Sequence, residues 1–383
     1  MSREKIISFT DSHSREQIEF IVDLCNQNSY SSNKRGTDRV AGMILHHLDP
    51  FFKYHDVVEQ DEVGSHHILR NHQGGRAVYL VGHMDTVFSP DHEFQTCRKE
   101  GGILYGPGTS DMKGGIGVIV YALKSLHHIG VLERINMTVI LNSDEELGSV
   151  TSQPLFEREL RNAELCLVAE CAGPNGEVVV SRNGKIGARI DCNGEDRHIS
   201  TVADKKASAV LELAHQVIAL EELNASFPDA GINVGKIEGG LGSSTIAGHA
   251  AAQVDIRWIN EEYRPMLLES IERSLSEHNQ PGCQSRFTIL NSRPAMPINI
   301  KTERLFKRIQ ETGRGLGQVV NSEHRRGTSD ANFFGAAGIP TIDGFGPKGD
   351  REHTAEEHIE IGSLKERTAL LANVLFDLSM KNE

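Results

Sequence analysis

A histidine and an aspartate, two residues apart, close an apolar run at Val81-Gly82-His83-Met84-Asp85-Thr86. A second aspartate follows in the glycine-rich stretch Gly106-Pro107-Gly108-Thr109-Ser110-Asp111-Met112-Lys113-Gly114-Gly115. Imidazole and carboxylate are borderline and hard donors, the types that hold zinc and related divalent ions. More such groups come later: Glu145 and Glu146, then Glu170 after Leu165–Val168, then His353 one loop beyond Pro340–Ile342. Singly, each reads as polar surface. Taken in order they predict a shared centre, because most follow an apolar run that suits a buried strand. Sites in open α/β sheets form beyond the carboxyl ends of strands.

The residue types fit a pair of cations. Two zinc ions about 3.5–4 Å apart need a bridging carboxylate, terminal histidine and carboxylate ligands, and an open position for water. Asp111, short and held in a glycine-rich turn, is the expected bridge. His83 and Glu170 complete one metal, Glu146 and His353 the other. Three ligand carboxylates against two zinc ions leave the loaded cluster near +1, so folding and metal binding are expected to be coupled. Glu145 is then the remaining carboxylate, placed to take a proton from the bridging water and pass it to a leaving nitrogen. Asp85 lies within reach of the second nitrogen of His83 and would orient that ring.

Positioning these groups requires an α/β sheet. Apolar periodicity predicts helices over residues 14–28, Gly36–Leu48 and Met112–Leu126, and buried strands at Arg76–Val81, Ile135–Leu141 and Leu165–Val168. Near residue 184 the pattern changes. Gly184–Cys192 and Val254–Trp258 alternate, with helices expected at Ala207–Leu220 and Tyr263–Glu277. After Pro294 the earlier pattern returns, with a helix over about 302–314, a strand at Gly338–Ile342 and a closing helix Ser363–Met380. The expected fold is a mostly parallel sheet with helices on both faces, residues 1–183 and 294–383, interrupted by a smaller α+β domain at 184–293.

The 383 residues carry a formal charge of −13, which argues against nucleic acid or an anionic membrane as the main partner. An apolar leader is missing from the first residues, and no window is apolar enough to span a bilayer, so a cytoplasmic protein is expected. The six cysteines form no CxxC and are expected to be reduced. Among the 18 histidines, His46, His47, His66, His67, His127 and His128 read as surface pairs.

With these motifs in order, joined by Ser143-Asp144-Glu145-Glu146-Leu147-Gly148-Ser149, Gly327-Thr328-Ser329-Asp330-Ala331 and His353-Thr354-Ala355-Glu356-Glu357, the chain resembles the di-zinc metallopeptidase family of glutamate carboxypeptidase, acetylornithine deacetylase and succinyl-diaminopimelate desuccinylase. The glutamate carboxypeptidase branch is nearest. The resemblance covers nearly the whole chain. It implies the zinc-exopeptidase fold, the ligand set His83, Asp111, Glu146, Glu170 and His353, Glu145 as general base, Asp85 beside His83, and a cis peptide bond at Asp111–Met112. It also implies that residues 184–293 form a lid and dimerisation domain, giving a homodimer. A family histidine that serves the partner subunit's site falls in register with His198, although the small residues that usually flank it are replaced in Gly194-Glu195-Asp196-Arg197-His198. The family's substrate-binding asparagine is absent from Ser244-Thr245-Ile246-Ala247. Arg257, as a fork for a substrate carboxylate or as a structural ion pair, and Ser329 are the candidate substrate contacts.

The resulting expectation is a zinc-dependent hydrolase with two Zn2+ per subunit, Co2+ or Mn2+ being alternatives. It would cleave the amide bond of a small carboxylate-bearing substrate. An N-acyl-amino-acid deacylase is the alternative within enzymes, and a non-catalytic metal-binding regulatory protein the alternative outside them.

Overall fold

The computed structural model describes residues 2–201, 206–276 and 280–380. The chain divides into two compact units. One comprises Met1–Ser181, Ile298–Arg325 and Ser329–Glu383; the other comprises Arg182–Pro297 and Arg326–Thr328.

The first unit is built on a six-stranded sheet in the order Tyr54–Val58, His66–Arg70, Met137–Asn142, Ala77–His83, Ala163–Val168, Thr341–Ile342. The last four of these run parallel; the first two join antiparallel at one edge. Every residue of Ala77–His83 and Met137–Asn142 is buried, as expected of parallel strands covered on both faces. Val78 and Leu80 point into a large apolar core shared with Ile116, Ile119 and Leu123 of helix Gly114–His128 and with Leu371 and Leu375 of helix Ile361–Ser379. Tyr79, between them, packs against Phe334, 5.6 Å between ring centres, and Phe334 against Phe156. The sheet is therefore mostly parallel with helices on both faces.

One close approach fixes the helix to the strand ends. A Cβ built on Gly115 would lie 1.7 Å from the carbonyl oxygen of Ala169, so only glycine lets the first turn of helix Gly114–His128 sit against the backbone preceding Glu170. That helix begins two residues later than its periodicity predicts. Asp111 and Met112 have non-helical dihedrals and are joined by a cis peptide bond.

The antiparallel edge was not legible in the sequence, and it corrects one expectation. His66 and His67 are buried rather than a surface pair, because their strand is second in the sheet and paired on both sides. His67 Nδ1 lies 2.9 Å from His55 Nε2. Burial, with some help from the His55 charge, lowers its pKa from the ordinary 6.5 to about 4. The unfolded chain thus takes up a proton near pH 6.5 that the folded chain refuses until about pH 4. Stability present above pH 6.5 is lost as pH falls through that window, by about 2 kcal/mol between pH 7 and pH 5. Urea midpoints of metal-free wild type and His67→Gln at the two pH values measure this. The wild type should lose more on acidification, and equal losses would show that His67 is not the group responsible.

The second unit is a four-stranded antiparallel sheet in the order Ala230–Gly239, His249–Trp258, Gly184–Asn193, Gln284–Arg293. Gly184–Asn193 alternates buried and half-buried along almost its whole length. The outer strands bury few residues, which is why their sequences show no clear period. Ile190, Ile256 and Trp258 share a core with Leu213 of helix Ala209–Glu222 and Leu267 and Ile271 of helix Tyr263–Ser276. Glu277, the predicted end of the latter helix, lies outside the described residues. No helix among the described residues is long and apolar enough to cross a membrane.

Candidate metal centre

Five side chains meet at the carboxyl rim of the first unit's sheet. His83 ends its strand, Glu146 follows Met137–Asn142 on a short turn, and Glu170 lies two residues beyond Ala163–Val168. Asp111 comes from the turn before helix Gly114–His128, and His353 from the loop before strand His358–Glu360. Each member of the trio His83, Asp111 and Glu170 offers a donor atom within 4.8 Å of the others. The same holds for Asp111, Glu146 and His353. Asp111 is common to both trios, and its two oxygens divide between them. Oδ1 is 2.8 Å from His83 Nε2 and Oδ2 is 3.2 Å from His353 Nε2. Glu146 Oε2 stands 3.1 Å from His353 Nε2, and Glu170 Oε1 stands 3.7 Å from His83 Nε2.

Electrostatics match a cation-binding set. Burial and the neighbouring Asp111 charge push the Glu146 carboxyl up to about 8 and also raise Glu170, and Glu145 adds to both. Contacts with Asp111 and Glu146 raise His353 to about 11. Burial opposes charge on His83, but hydrogen bonding to Asp111 and Asp85 outweighs it and raises the ring's pKa. Burial likewise works against charge on Asp111, which His353 and His83 nevertheless hold well below the usual carboxylate range. Three acids crowd two imidazoles. Nitrogen and carboxylate donors in two trios are the set that zinc and similar ions take, so these residues fit a pair of divalent cations.

The surrounding contacts explain how the ring and turn are held. Asp85 Oδ1 lies 3.3 Å from His83 Nδ1 and accepts the Glu145 amide at 3.2 Å. Its Oδ2 accepts the Glu146 amide at 3.2 Å and the Ser31 hydroxyl at 2.7 Å. Asp144, the first acid of the triplet, turns away: its oxygens accept from the amides and hydroxyls of Thr151 and Ser152. That leaves Glu145, buried at the turn, beside the trios.

Two acids were given no role from the sequence: Glu352, and Glu357, which stood only as the last residue of a quoted motif. Glu352 Oε1 accepts from Ser110 Oγ at 3.0 Å and Cys171 Sγ at 2.8 Å. Each of these three residues is the chain neighbour of a trio member, so Glu352 ties three of the loops together. Glu357 contacts the backbone of the Asp111 turn. Both acids sit close to His353, but hydrogen bonds from loop backbone and small side chains leave no spacing signature.

The remaining candidates have other surroundings. Ser329, 1% exposed, donates to Asp343 Oδ2 at 2.7 Å. Arg257 belongs to the second unit, where Nε donates to Asp255 Oδ1 at 2.7 Å and Nη1 to the Arg326 carbonyl at 3.0 Å. Ser329 and Arg257 thus both have structural partners. His198 is also in the second unit, exposed on a two-residue strand paired with Thr245–Ile246, its Nδ1 2.6 Å from Ser200 Oγ. The six cysteines are free.

The chain is similar to several known proteins. The model of peptidase family M20/M25/M40 matches residues 79–377. Carboxypeptidase G2 of Pseudomonas sp. (strain RS-16) is 26% identical over 310 residues, covering 80% of this chain and 75% of its own. A succinyl-diaminopimelate desuccinylase of Halorhodospira halophila is 26% identical over 319 residues, covering 77% and 82%. Among solved structures, an M20 family metallo-carboxypeptidase from Sulfolobus solfataricus superposes with a TM-score of 0.77 at 15% identity, covering 95% of this chain and 99% of that one.

Proposed function

The chain belongs to peptidase family M20/M25/M40 and is a metal-dependent hydrolase; from that premise we propose that it cleaves the amide bond of a small substrate bearing a free carboxylate, with two divalent cations at the rim of the first unit's sheet. The observation that carries this reading is the division of Asp111, one oxygen on His83 and the other on His353, with Glu170 completing the first trio and Glu146 the second. His83, Asp111 and Glu170 would hold one cation; Asp111, Glu146 and His353 would hold the second. Zinc is our first choice for both, with cobalt or manganese as substitutes. When bound, such a pair polarises a carbonyl oxygen and acidifies water.

The chain's own residues do the rest. Glu145 accepts the proton of the attacking water and delivers it to the nitrogen of the scissile amide. The C–N bond breaks, hydroxyl goes to the acyl carbon, and the amine leaves with the proton. Asp85 keeps the His83 ring oriented. The preference for a carboxylate-bearing substrate is supported by the similarity to a carboxypeptidase and a desuccinylase. Removal of a C-terminal residue and removal of an acyl group are both hydrolyses of an amide beside a carboxylate. We further propose that the second unit forms a homodimer contact, and that His198 is offered to the site of the second copy. Its exposure and the family resemblance support this.

The test is metal analysis of protein purified without chelator, followed by a substrate panel. Close to two equivalents of divalent metal per chain are expected. Turnover should be found among N-acetyl, N-succinyl and short peptidyl derivatives of glutamate, aspartate and arginine, and be lost when the free carboxylate is amidated. Fewer than one equivalent, even after metal is supplied, would refute the dinuclear reading. Equal turnover of amidated substrates would refute the proposed substrate class.

A further inference from the structure

Glu357 is 1% exposed, and its carboxylate accepts three backbone amides of the turn that carries Asp111. Oε2 takes the Gly108 N–H at 3.2 Å; Oε1 takes those of Ser110 at 2.8 Å and Asp111 at 3.0 Å. Its main-chain carbonyl accepts a fourth, from Gly106, at 3.2 Å. The register explains how one residue reaches so many. Strand His358–Glu360 pairs antiparallel with Ile103–Tyr105, His358 opposite Tyr105, and the Gly106–Glu357 bond continues that ladder by one step. Gly108 then turns the chain with φ +80°, and the amides of Gly108, Ser110 and Asp111 all point at one carboxylate. Successive amides gathered in this way make an anion-binding concavity. Here a residue of the same chain fills it, four positions after His353.

From this geometry we propose that Glu357 is a positioning residue for the metal centre. By fixing the backbone of Asp111 from the segment that also carries His353, it sets both Asp111 oxygens relative to the two trios. This rests on the dinuclear reading given above. A carboxylate suits the place better than an amide. Two oxygens satisfy three donors, whereas a glutamine would turn an NH2 group toward one of the backbone amides.

The test is titration of Co2+ into metal-free protein, followed by visible absorption and equilibrium dialysis. Wild type should take up two equivalents. Glu357→Gln should bind Co2+ roughly tenfold to hundredfold more weakly, the range found when a residue behind a ligand is changed. Its absorption bands should be altered, and its turnover should recover as Co2+ is raised. A purely structural role would lower the melting temperature of the metal-free protein and leave affinity and spectrum unchanged, and that result overturns the proposal. If Glu357→Gln fails to fold, Glu357→Asp, which keeps both oxygens one methylene further back, carries the same measurement and the same expectation. A wild-type protein that takes up no Co2+ overturns the dinuclear reading itself, which separates that failure from failure of the positioning role.

Discussion

Glu145→Gln protein should bind its full complement of divalent metal and turn over substrate about a thousandfold more slowly than wild type. The loss falls within the range for removing a positioned acid–base group. The variant keeps the shape of the side chain but removes its charge and its capacity to hold a proton. Glu145 belongs to neither metal-binding trio, so metal content should not follow activity down. Its amide would still be held by Asp85. The check is kcat from initial rates beside metal content of the same preparation. A variant retaining a tenth of the wild-type rate would move the proton-transfer role to another group. Loss of metal in step with rate would make Glu145 a ligand.

Asp111→Asn should give the opposite pattern. Asp111 is the one residue the two trios share, and it brings one oxygen to each. Amidation removes the charge and replaces one oxygen with a nitrogen donor, so both cations should be lost together rather than one. Metal content should fall from about two to well under one per chain, and kcat by roughly a thousandfold or more, since several kcal/mol of transition-state stabilisation go with the ions. A variant that keeps one tightly bound equivalent would show that the trios fill independently and that Asp111 does not bridge. Combining the two substitutions should cost little beyond Asp111→Asn alone, because a proton carrier has no work at an empty centre.

What was legible in the sequence follows from how each group is held. His83, Asp111, Glu146, Glu170 and His353 could be picked out because ligand chemistry restricts residue type and because strand ends punctuate the chain with apolar runs. Periodicity marked Ala77–His83 and Met137–Asn142, since strands buried on both faces read as continuous apolar stretches. It failed at Tyr54–Val58 and His66–Arg70. The first is almost wholly exposed and the second begins with two histidines, so neither resembles a core strand. His66 and His67 read as surface for the same reason: their burial comes from neighbouring strands distant in sequence. Arg257 was ambiguous because a guanidinium suits a substrate carboxylate and Asp255 equally well. Glu352 and Glu357 act through loop backbone and small side chains, and contacts of that kind impose no pattern on residue types.

Asp85 ties the two halves of the chemistry to one reference point. The same carboxylate that faces the ring of His83 also receives the amides of Glu145 and Glu146. A shift of that carboxylate therefore carries ring and glutamates along together, and their mutual alignment survives. Ring and turn thus share a single carboxylate anchor.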